Sequence, residues 1–112
     1  MNRFLGLLAL SLVASGCAGS LPLDAFHEGR YPAAAAALRD LETEARSFSP
    51  ADRARYALYR GLTHLALGDA GAADRWLTAA KRSADDHPGW FDDREHGALL
   101  SAWRAMGRMP GE

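Results

Sequence analysis

The chain has one cysteine in 112 residues, Cys17, so no disulfide can form within it and the fold must hold by packing. It has no run of alternating β-branched residues, which removes the usual signal for a strand. Its N-terminal apolar stretch, Phe4–Val13, is ten residues long, about half of what a membrane-crossing helix needs. Net charge is only −1 at pH 7, which leaves out the basic surface by which nucleic-acid binders declare themselves. Glycine-rich phosphate loops and closely spaced histidine or cysteine ligands are also missing. Ser47, Ser49, Ser83 and Ser101 have no nucleophile-elbow or triad context, and Glu42 and Glu44 fall on a solvated helix face. The expectation is a non-enzymatic protein with no cofactor and no metal. The one acidic and histidine cluster, Asp85, Asp86, His87, Asp92, Asp93 and His96, is explained by helix capping and the positive end of the helix dipole.

What is present begins with an N-terminal signal. Arg3 is the only charge in residues 1–16, the apolar stretch follows it, and Ala14-Ser15-Gly16 places small side chains directly before Cys17. This arrangement resembles the lipobox of bacterial lipoprotein signal peptides. The resemblance implies cleavage before Cys17, a diacylglycerol on its thiol and an acyl group such as palmitate on the new amine. An ordinary secretory signal cut near Gly16 or Ala18 is the alternative. Two or three acyl chains anchor a protein stably where one does not. Ala18 after the cysteine favours, by analogy with enterobacterial sorting, the outer membrane and its periplasmic face. The domain reading is a signal at 1–16, a lipidated tether at 17–21, a helical domain at 22–107 and a flexible tail at 108–112.

The remainder reads as helices. Residues 22–28 have a small apolar face of Leu23 and Phe26, and Gly29 stops them. Tyr31-Pro32 opens a helix with proline in the first turn, and the stripe Ala34, Ala37, Leu38, Leu41, Ala45 and Phe48 follows a 3.6-residue period. Ser49-Pro50-Ala51-Asp52 caps a central helix running to Leu67, with apolar residues at Ala54, Leu58, Leu62 and Leu65 and a second line at Tyr56 and Tyr59. Gly68-Asp69 ends it and starts another, over Ala70–Ala84, through Ala73, Trp76, Leu77 and Ala80. Pro88-Gly89 breaks the chain again. Asp92 and Glu95 then form a capping-box pattern ahead of a last helix to Met106, with Leu99, Leu100 and Trp103 facing inward and Trp90-Phe91 stapling its entrance. The expected fold is all-α.

Two of the turns share a register. Gly29 is followed at five, nine and twelve residues by Ala34, Leu38 and Leu41, and Gly68 at the same offsets by Ala73, Leu77 and Ala80. With Gly61 seven residues before Gly68, this recurrence resembles the tetratricopeptide repeat. The resemblance implies a short array of antiparallel helical hairpins, about two and a half repeats long. The glycines are 39 residues apart, against a family period of about 34. Arg60 and His64 stand where that family usually places large apolar residues.

A repeat array implies binding in the groove lined by its first helices. Arg55, Tyr59 and Leu62 are the candidate partner-binding residues, tyrosine and arginine being common interface anchors. Leu58, Leu62 and Leu65 also fit a core role. The function so implied is an envelope-anchored adaptor or assembly lipoprotein that binds a protein or peptide. The alternative is a structural lipoprotein that self-associates through its open ends and has no peptide groove.

Overall fold

The computed structural model describes residues 21–109 and 111; the signal expected at 1–16 and the lipidation expected at Cys17 lie outside the described residues. The described residues are all-helical and contain no strand. Six helices follow in order: α1 (Asp24–His27), α2 (Tyr31–Asp40), α3 (Glu42–Ala45), α4 (Pro50–Ala66), α5 (Ala70–Asp86) and α6 (Asp93–Ala105), with a 3₁₀ turn at Pro88–Trp90 before the last.

The centre of the fold is the α4–α5 hairpin, and one glycine sets how close its helices lie. A Cβ on Gly61 would sit 2.5 Å from Cγ of Leu77 and 3.1 Å from its backbone nitrogen, so only a hydrogen fits. Leu58, Ala73, Leu77 and Ala80 close that interface at 0% exposure. The helix starts are built as expected. The Ser49 hydroxyl accepts the Asp52 amide at 3.2 Å, and the Asp69 carboxylate accepts the Ala72 amide at 3.1 Å. At α6 the capping box is complete, with Glu95 N–H on Asp92 Oδ1 (2.7 Å) and Asp92 N–H on Glu95 Oε1 (3.0 Å). Phe91, just before that cap, is buried and meets the His96 ring edge-on, which fixes the entry of the chain.

The helix ends repeat more strictly than the starts. Gly29, Gly68 and Gly107 each adopt a positive φ, of 77°, 82° and 80°. Each closes the same pair of bonds. Gly29 N–H reaches Phe26 and Arg30 N–H reaches Ala25; Gly68 reaches Leu65 and Asp69 reaches His64; Gly107 reaches Arg104 and Arg108 reaches Trp103. These are three Schellman caps. Their glycines are spaced 39 residues apart both times. After the first two, a helix follows that buries its residues at offsets five and nine, Ala34 with Leu38 and Ala73 with Leu77, all at 0% exposure. After the third, the chain turns back instead. Arg108 pairs with Asp74, bonds Thr78 at 3.2 Å and lies over the Trp103 ring, while Trp103 Nε1 donates to the Met109 carbonyl at 3.0 Å. Thus the start of the segment read as a tail is tied to α5 and α6.

One expected helix is two. The stripe from Ala34 to Phe48 runs through a break at Leu41, where α2 gives way to the single turn of α3. The Tyr56 hydroxyl donates to the Leu38 carbonyl at 2.6 Å, and the Leu41 amide takes the same oxygen at 3.2 Å. The acceptor for a continued α-helical ladder is therefore shared with a side chain, a recognised cause of a local break.

Candidate functional site

The α4 helix presents two different faces. At 100° per residue, Arg55, Tyr59 and Leu62 share one, and Arg53, Tyr56 and Arg60 share another about 120° around the axis. Both carry polar networks, and they serve different purposes.

On the first face, Glu95 of α6 is the organising group. Its Oε2 accepts the Tyr59 hydroxyl at 2.8 Å and Arg55 Nε at 2.9 Å, while Oε1 holds the capping-box amide. Glu95 is only 3% exposed, and its carboxylate is satisfied by three donors, one of them the Arg55 cation. The Tyr59 phenol is pushed up to about 12, first by burial and then by the Glu95 carboxylate, which disfavours a second negative charge. Burial works against the Arg55 charge, but the Glu95 carboxylate outweighs it and holds the guanidinium above its usual range. The ring of Tyr59 is covered by Phe26 edge-on at 5.2 Å.

Of the three candidate partner-binding residues, Tyr59 is the most deeply buried. Tyr59 is 6% exposed with its hydroxyl committed, and it joins α1, α4 and α6. Arg55 keeps 29% of its side chain accessible at the edge of the same network. Leu62 and Leu65 are half-buried and pack against the core, and Leu58 lies wholly inside it. The capping-box pattern pointed to Glu95 for helix α6, but its partners 36 and 40 residues away leave no local trace.

On the second face, Arg60 is a buried cation. Its guanidinium lies 4.6 Å from the Trp76 ring centroid, and Nη1 donates to Tyr56 Oη at 2.9 Å and Glu42 Oε1 at 3.1 Å. The Trp76 face and these two acceptors are what hold a guanidinium in a buried position. Tyr56 meets Trp76 edge-on at 5.8 Å and Phe48 at 6.1 Å. These groups back an open pocket of about 360 Å³ lined by Glu42, Ala45, Arg46, Arg53, Tyr56 and Trp76. Arg46 and Arg53 are exposed and have no carboxylate within ion-pair distance among the described residues.

The Asp85–His96 cluster is dispersed into structural contacts. Asp85 pairs with buried Lys81 at 2.9 Å, and the His87 ring stacks on Trp90 at 3.9 Å. His96 Nε2 meets the Pro88 carbonyl at 2.7 Å, and Asp92 caps α6. Among the described residues no group of three or more His, Cys, Asp or Glu side chains is placed to hold a metal ion. At the α4–α5 turn, burial and then the neighbouring Arg60 charge push His64 below its ordinary value.

Compared with models of known protein families, with curated proteins and with solved structures, the chain matches none.

Proposed function

We propose that this chain is a lipid-anchored adaptor or assembly lipoprotein of the bacterial cell envelope, whose helical domain holds a protein or peptide partner and performs no catalysis. The observation that carries the reading is the recurrence of one cap at Gly29, Gly68 and Gly107. Hairpins set in register by identical caps stack into extended surfaces, the usual binding scaffold of repeat proteins. The sequence at Ala14–Cys17 supplies the anchor. Leu21 already packs against the core, so only four peptide steps join it to Cys17, a reach of about 14 Å. A lipid on Cys17 therefore holds the α1 end against the bilayer, at the periplasmic face of the outer membrane by the sorting analogy. On this reading Leu62 and the accessible edge of Arg55 touch the partner, with Tyr59 supporting them from beneath.

Fractionation of cells making the intact chain or Cys17→Ser tests the anchor. The wild type is expected in the membrane fraction and the variant in the soluble fraction; equal membrane association of both refutes the lipid reading.

A second reading is self-association. It is favoured by α6, whose outward side leaves Gly97, Ser101 and Ala105 exposed where a following helix would pack in a longer array. Sedimentation separates the two: a concentration-independent monomer removes the second reading.

A further inference from the structure

The pocket between α3, α4 and α5 belongs to neither the Glu95 network nor the face that carries Leu62. We propose that it is a docking site for an acidic peptide segment of a protein partner, an apolar side chain seated on Tyr56 and Trp76 and a neighbouring carboxylate held by Arg46 and Arg53. The inference rests on reading the chain as a binding module and names the chemistry of what it binds.

Four observations define the occupant. The pocket, about 360 Å³, takes one or two side chains and not a folded surface. Its base is fixed in advance, because Arg60 is stacked on Trp76 and bonded to Tyr56 and Glu42, so binding orders little of the protein. Its charge is unbalanced in one direction. Glu42, the one carboxylate in the lining, is bonded to Arg60, whereas Arg46 and Arg53 are left without an anionic partner among the described residues. Two exposed guanidinium groups beside an aromatic base favour a carboxylate next to an apolar group, since planar guanidinium forks bind carboxylates in pairs of hydrogen bonds. Trp, Tyr and Arg are also the side chains most often found as interface anchors. A basic peptide would meet uncompensated like charge, and an uncharged one would leave both arginines unpaired.

The test is a titration of the intact protein with three acetylated, amidated hexapeptides: alternating Glu and Phe, the same with Gln for Glu, and the same with Lys for Glu. The readout is tryptophan fluorescence, with calorimetry as a check. Binding is expected for the Glu peptide, weakening with salt. The double variant Arg46→Glu/Arg53→Glu should weaken it at least about tenfold, the scale of two solvent-facing charge pairs lost and reversed. Both positions are exposed, so the variant should keep the wild-type circular dichroism spectrum. Arg82→Ala, exposed on α5 and outside the lining, should leave the affinity unchanged. No binding of the Glu peptide at millimolar concentration overturns the site, as does equal affinity for the Gln peptide or indifference to the charge reversal. Binding to phosphatidylglycerol vesicles that the same reversal abolishes, with no peptide binding, reassigns the arginines to lipid and also overturns it. A protein partner cross-linked equally well by the reversal variant overturns the pocket while the adaptor reading stands.

Discussion

Replacing Glu95 by alanine should loosen α6 from α4 with a cost that can be worked from its partners. The Tyr59 hydroxyl, buried and donating to Glu95 at 2.8 Å, would lose its acceptor, a loss of about 1–2 kcal/mol for an orphaned buried group. The Asp92 amide would lose one half of the capping box, about 0.5–1 kcal/mol. Arg55 keeps 29% of its side chain accessible and can turn to water, so its share is at most about 1 kcal/mol. The sum is about 3 kcal/mol, a large part of the stability of a small domain. Urea unfolding followed by far-ultraviolet circular dichroism measures it. A cycle with Tyr59→Phe isolates the pair: once the hydroxyl is gone, Glu95→Ala should cost about 1 kcal/mol less. A loss below about 0.5 kcal/mol, or two losses that simply add, would refute the view that Glu95 is the buried fastener between helices.

Other consequences follow from single positions. Gly61→Ala would drive a methyl against Leu77 and should destabilise by about 1–3 kcal/mol in the same unfolding assay. Gly68→Ala meets no steric neighbour but keeps φ near 82°, so it should cost about 1 kcal/mol from backbone strain alone. Tyr59 ties stability to alkaline pH. Below pH 10 both folded and unfolded chains keep the phenol proton; between 10 and about 12 only the unfolded chain releases it, so stability should fall across that window. Tyr59→Phe should fall less steeply, as read by thermal melts at each pH. His64 acts at the acid end: below its ordinary value of 6.5 the unfolded chain takes up a proton before the folded one does, so stability present above that pH is lost as it drops. His64→Gln should flatten that loss.

Much of the fold was legible because it is written locally. Ser49-Pro50, Gly68-Asp69 and Asp92 with Glu95 marked helix boundaries to within a few residues, since caps are made by neighbours in the chain. The repeat of Gly29 and Gly68 was visible too, and Gly107 at the same 39-residue interval was a signal available to extend it. What stayed hidden depended on distant partners. The break at Leu41 exists because a tyrosine eighteen residues beyond Leu38 takes that residue's carbonyl. Tyr59 and Arg55 carry the composition of an interface, and nothing near them in sequence shows that Glu95 consumes both. Arg60 looked out of place among apolar positions until Trp76 and Glu42 supplied its stack and its counter-charge. Arg46 and Arg53 gave no signal at all, because an unpaired exposed arginine becomes meaningful only beside the pocket that it borders.

The central claim is that this domain is a binding module fixed to a membrane, and cross-linking capture tests it most directly. Lys81, the only lysine, is buried against Asp85, so amine-reactive reagents would miss the surface and a photo-activated cross-linker placed at Leu62 is the suitable probe. Membranes from cells making the intact chain should yield a discrete cross-linked protein partner, lost or strongly reduced when Cys17→Ser frees the domain. A domain that yields no cross-linked protein from membranes, or the same yield with and without Cys17, would contradict the account.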